Sequence, residues 1–94
     1  MIKHIVLFKF DNPSADYLQN AVDLLHKLKN DIKEIISIEA GVNTNPNESF
    51  HLALSVLVED YTALKTYATH PKHLEVGAII RKKLMERSCV DFEA

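Results

Sequence analysis

From Phe50 to Val58 the chain places an apolar residue at every second position: Phe50, Leu52, Leu54, Val56 and Val58. That is the period of a β-strand, whose successive side chains point to opposite faces. The residues between them include Ala53, Ser55 and Leu57. A solvated sheet face would carry charged residues and threonine there; this one is small and apolar. The first ten residues repeat the pattern. His4, Val6, Phe8 and Phe10 share one face, while Ile5 and Leu7 point the other way. A sheet that is apolar on both sides needs a covering layer on each. A chain of 94 residues has room for one domain and buries only about 60–65% of its unfolded surface.

The remaining elements follow from periodicity and punctuation. Ile2–Phe10 reads as a strand, rich in β-branched and aromatic residues. Asp11-Asn12-Pro13-Ser14 breaks it, with Asn12 or Ser14 available as a helix cap. Leu18, Val22, Leu25 and Leu28 then mark one face of a helix, widened by Ala21 and Leu24. Ile35 to Val42 reads as a second strand, and Asn43 to Glu48 as a turn-rich connection. After the strand at Phe50–Val58, Asp60 caps a helix carrying Tyr61, Leu64 and Tyr67. Pro71 disfavours helix at His70, so a new helix is expected from Pro71 to Glu86, with Leu74, Ala78, Ile79 and Leu84 in the core. Arg87 to Phe92 forms the last strand. The order β-α-β-β-α-β, with right-handed crossovers, gives an α+β, ferredoxin-like fold: a four-stranded antiparallel sheet with helices on one face. The open face then predicts a homodimer in which a second copy supplies the missing layer.

Composition excludes several functions. Eleven basic residues against thirteen acidic ones give a net charge of −2, which offers no footprint for nucleic acid or an anionic membrane. The apolar start is too short for a signal-peptide core, and no stretch is long enough to span a membrane. A single cysteine, Cys89, fits a reducing compartment, so a cytoplasmic protein is expected. Cys89 itself is expected to be a buried, inert thiol. Two glycines, Gly41 and Gly77, leave no nucleotide-binding loop, and no cofactor is expected. Arg81-Lys82-Lys83 reads as a solvated helix face. His70 and His73 are three apart, but Pro71 between them breaks the helical spacing, so no metal site is expected. Five histidines in so short a chain call for an explanation.

Several stretches are similar to the stress-responsive A/B barrel domain family of dimeric α+β barrels. They are Lys3 to Phe10, Glu39-Ala40-Gly41-Val42-Asn43, Tyr67-Ala68-Thr69-His70-Pro71-Lys72-His73 and Val90-Asp91-Phe92-Glu93. The resemblance spans nearly the whole chain as a single domain, residues 1–94. It implies a pocket between sheet and helices. In the cyclase branch of the family a tyrosine and the second histidine of the His-Pro-x-His signature act on a polyketide. The matching positions are Tyr67 and His73, and His4 matches a pocket histidine on the first strand. A further polar pocket position falls at Leu52, which is apolar here.

Histidine exchanges protons near neutrality, and a tyrosine hydroxyl can polarise a carbonyl. His73, Tyr67 and His4 are therefore the candidate catalytic groups, with Val6, Phe8, Leu52, Leu54 and His70 as candidate ligand contacts. The bland alternative is that His70 and His73 only brace the helix break around Pro71. The expected function is binding of a small apolar carbonyl compound, with cyclase- or lyase-like acid–base chemistry. The rivals are a non-catalytic stress or assembly protein and a cofactor-free monooxygenase, the latter disfavoured by the absence of tryptophan.

Overall fold

The computed structural model describes every residue from Met1 to Ala94. The elements are β1 (Ile2–Phe10), α1 (Ala15–Asp31), β2 (Ser37–Val42), β3 (Leu52–Val58), α2 (Tyr61–Thr69), α3 (Pro71–Ile80), a 3-10 turn (Arg81–Lys83) and β4 (Leu84–Glu93). The strands form one antiparallel sheet in the order β2-β3-β1-β4. This is the ferredoxin-like α+β plan. No helix is long and apolar enough to cross a membrane.

Local chemistry starts the helices where the sequence suggests. The Ser14 hydroxyl accepts from the Tyr17 amide at 3.0 Å and opens α1. The Asp60 carboxylate accepts from the Ala63 amide at 2.8 Å and opens α2. Each such cap is worth about 1 kcal/mol. Leu18, Ala21, Val22, Leu25 and Leu28 of α1 are buried, as their spacing requires. They pack onto the alternate residues of β1 and β3, including Val6, Phe8, Leu52, Leu54 and Val56. Pairing Val6 with Leu54 and His4 with Val56 puts these side chains in rows on the helix side of the sheet.

The end of α3 departs from the sequence reading. The helix stops at Ile80 instead of Glu86, and Leu84 begins β4, paired with Phe10. Residues 84–86 have ordinary helical propensity, but extending β4 lets it pair with β1 along almost its whole length. The buried positions of α3 also differ. Val76 and Ile80 are buried, Ile79 is half-buried, and Leu74 and Ala78 are exposed. The inward stripe is His73, Val76, Gly77 and Ile80, at helical spacing 3, 4 and 7. A histidine and a glycine in that stripe hide it from any search for apolar periodicity.

The other face of the sheet carries no layer. Ile5, Leu7 and Leu57 are half-buried there, and Val90 and Phe92 are exposed. The register places all five on the side away from the helices.

Candidate functional site

Between sheet and helices lies a cavity of about 230 Å³, lined by residues of β1, α1, β3, α2, α3 and β4 and of the 3-10 turn. Its walls include Val6, Phe8, Leu25, Leu54, Val76 and Ile80. Its polar groups are His4, Tyr67, His73, Arg81 and Arg87. A broader depression of about 650 Å³ lies on the sheet around Ile5, Leu7, Gly41 and Ala53. It is the larger of the two; its lining holds Glu39 and Glu48 but no histidine, tyrosine or cysteine, and the candidate histidines and tyrosine line the smaller cavity.

Tyr67 sits in the last turns of α2 and is 1% exposed. Its hydroxyl is buried without a hydrogen-bond partner in the protein. Burial pushes the phenol pKa up to about 12, with Arg87 pulling weakly the other way. His73 stands in the first turn of α3, where Pro71 fixes the start of the helix. Its ring centroid lies 4.5 Å from that of Tyr67. Nδ1 of His73 is likewise buried with no partner. Burial lowers the His73 pKa below the usual histidine value; hydrogen bonding between the ring and the Ala68 backbone opposes this, and His4, Arg81 and Arg87 reinforce it. The imidazole is therefore neutral at physiological pH and able to accept a proton.

His4 closes the third side. Its ring meets Tyr67 edge-on at 6.0 Å. Nδ1 of His4 lies 2.5 Å from an Asp91 carboxylate oxygen and 3.5 Å from Cys89 Sγ. With the shared proton on Nδ1, the carboxylate orients the ring and leaves Nε2 as the free acceptor. His4, Cys89 and Asp91 each offer a donor atom within 4.8 Å of the others. This mixed donor set is of the kind that binds a borderline transition metal.

The structure thus brings together His4, Tyr67, His73, Val6, Phe8 and Leu54. It separates Leu52 and His70 from them. Leu52 is 2% exposed and belongs to the core without lining the cavity. His70 is the cap of α3: its Nδ1 accepts from the Lys72 amide at 3.0 Å, and the residue does not line the cavity. Two other histidines serve the backbone in the same way. His51 accepts from the Phe10 amide at 3.0 Å, and His26 from the Ala40 amide at 3.1 Å. Three of the five histidines therefore accept from backbone amides, and the other two, His4 and His73, face the cavity.

The profile of the stress responsive A/B barrel domain matches residues 2–94. The chain belongs to that family. No curated protein matches it in sequence. Among solved structures, a dimeric protein of unknown function with a ferredoxin-like fold from Bacteroides fragilis is 35% identical, with a TM-score of 0.86 over 99% of this chain and 95% of that one. A dimeric ferredoxin-like protein of unknown function from Thermobifida fusca is 25% identical, with a TM-score of 0.89 over 99% and 90%. A hydroxynitrile lyase from Passiflora edulis shares the fold at 14% identity, with a TM-score of 0.84 over 97% and 90%.

Four polar residues at or beside the cavity are not among the site residues that the sequence marks: Arg81, Arg87, Cys89 and Asp91. Arg87, Cys89 and Asp91 alternate along β4 and face Phe8, Val6 and His4 in the register. Alternating polar residues on a last strand look like a solvated edge. Their pairing partners on β1 are what turn them toward the site. Cys89 is exposed, not buried. Even so its thiol pKa is raised, by partial burial first and then by the Asp91 carboxylate. Arg81-Lys82-Lys83 forms a 3-10 turn instead of a helix face, and Arg81 lines the cavity.

Proposed function

We propose that the cavity binds a small apolar carbonyl compound and that His73, Tyr67 and His4 move protons on it. The observation that carries this reading is the pair of buried, unpartnered polar atoms, Tyr67 Oη and His73 Nδ1, on rings 4.5 Å apart. Buried polar groups are nearly always satisfied, so an adjacent orphaned pair is the mark of a site that a ligand completes. Neutral His73 removes a proton from the carbon beside the carbonyl. The electron pair passes into an enolate, whose oxygen accepts a hydrogen bond from the Tyr67 hydroxyl. Attack of that enolate on a second carbonyl forms a carbon–carbon bond, and the His73 imidazolium returns its proton to the new alkoxide. The reverse sequence cleaves the same bond. His4, oriented by Asp91, is a second acceptor beside the same oxygen.

The fold by itself does not select this chemistry, because one scaffold hosts many activities. Support comes from the cavity and its groups. We also propose that two chains pair through the open sheet face, as the similar proteins from Bacteroides fragilis and Thermobifida fusca are dimeric, and that free Cys89 resides in the reducing cytoplasm.

The test is exchange of the methyl protons of acetophenone for deuterium in D2O, followed by proton NMR. The protein should accelerate it, and His73→Gln should return it to the rate of buffer with a folded control protein. Equal rates for the two proteins would remove the proton-transfer reading.

A further inference from the structure

We propose that the natural ligand is an anion: a small carboxylate whose carboxyl group is held by Arg81 and Arg87 while its apolar, carbonyl-bearing end lies against Tyr67 and His73. This rests on reading the cavity as a ligand site. Both arginines line that cavity, and they come from different elements, Arg81 from the 3-10 turn and Arg87 from β4 opposite Phe8. No carboxylate lines it. The ion pairs of the protein join the N-terminus to Glu93 and Lys72 to Glu75, and the Asp91 carboxylate is hydrogen-bonded to the His4 ring. No salt bridge pairs either arginine with a carboxylate, Arg87 reaching the Cys89 thiol instead, and the nearby Asp91 is already engaged by His4. Two cations beside one apolar cavity repel each other, and a shared carboxylate removes that repulsion. Guanidinium and carboxylate fit as a planar, two-bond pair, which makes arginine the suited residue.

An exposed arginine ordinarily extends into solvent, and Arg81 does not. Its guanidinium folds back along α3 over Gly77, with Nη1 3.1 Å from the point where a Cβ would stand. Glycine inside a helix costs about 1 kcal/mol relative to alanine. Gly77 has no positive φ that would demand glycine. What it provides is room for Arg81 beside the cavity. Both arginines also bear on the inner groups, since each disfavours a positive charge on His73. The same field favours an anion. Size narrows the class further. An apolar cavity of about 150 Å³ accepts benzene, so about 230 Å³ suits one substituted ring or a short branched chain.

The experiment compares three probes by NMR titration at low salt: benzoylformate, its neutral methyl ester, and acetophenone. The wild-type protein should bind benzoylformate at least tenfold more tightly than the ester, and the preference should shrink as salt is added. Arg81→Gln combined with Arg87→Gln should erase the preference, so that the variant binds benzoylformate no more tightly than its methyl ester. Both side chains are exposed, so these variants should fold. Wild-type protein that binds ester and acid equally would overturn the carboxylate inference while leaving the cavity as a site for neutral carbonyl compounds. Failure of all three probes to perturb the Tyr67 and His73 signals would overturn both readings.

Discussion

Replacing Tyr67 with phenylalanine should separate stability from function. Tyr67 is 1% exposed, and its ring packs against His73 at 4.5 Å and His4 at 6.0 Å. Phenylalanine keeps that ring and those contacts. The deleted hydroxyl has no hydrogen-bond partner in the protein, so no internal bond is lost. Burying an unsatisfied polar group costs about 1–3 kcal/mol. Its removal should therefore stabilise the folded state by up to about 2 kcal/mol, the gain falling toward zero to the extent that water reaches the hydroxyl through the cavity. In a domain this size each kcal/mol raises Tm by about 4–8 °C. Urea unfolding followed by circular dichroism, at one fixed protein concentration, measures the difference. The same variant should turn over carbonyl substrate more slowly with little loss of affinity. Destabilisation by more than about 1 kcal/mol would mean that the hydroxyl makes a structural hydrogen bond, and the argument for an incomplete site would fail.

Three further outcomes are expected. The folded-state pKa of His73 lies below its unfolded value, so unfolding takes up a proton and stability should fall as pH drops below about 6.5; His73→Gln should remove that part of the fall, and identical pH profiles for both proteins would show that the ring is not held neutral. Light scattering should give about twice the 10.7 kDa chain mass; Leu57→Asp on the open sheet face should shift the protein toward monomer, whereas Gln19→Asp on the exposed side of α1 should not, and a wild-type monomer would contradict the pairing. Cys89 is exposed yet carries a raised pKa to which Asp91 contributes, so iodoacetamide should modify it slowly at pH 8 and faster in Asp91→Asn; no acceleration would show that the carboxylate does not act on the thiol.

What the sequence reveals and what it hides have the same cause. β1 and β3 are legible because they are central strands whose inward faces are almost wholly apolar, so a period of two survives any reading. α1 is legible because its stripe holds only leucine, valine and alanine. The inward stripe of α3 contains His73 and Gly77, and the apolar residues nearest in spacing, Leu74 and Ala78, face solvent. Polar and small residues stand in place of apolar ones on that face, and the periodicity is lost with them. The same holds on β4. Arg87, Cys89 and Asp91 occupy the face that a central strand would fill with valine and isoleucine. Tyr67, His73 and His4 are found through the local signature they share with the family, whereas His70 in that signature is spent on capping α3. Sequence spacing cannot distinguish a histidine that accepts from a backbone amide from one left free, because the difference lies in a single ring nitrogen.

The most direct test of the account follows the His73 imidazole itself. Side-chain NMR of the protein titrated with acetophenone should show the ring signals of His73 and Tyr67 moving together along one saturable curve, while those of His26, His51 and His70 stay fixed by their backbone hydrogen bonds. Movement of all five histidines in proportion to ligand, without saturation, or no movement at His73, would contradict the assignment of this cavity as the functional site.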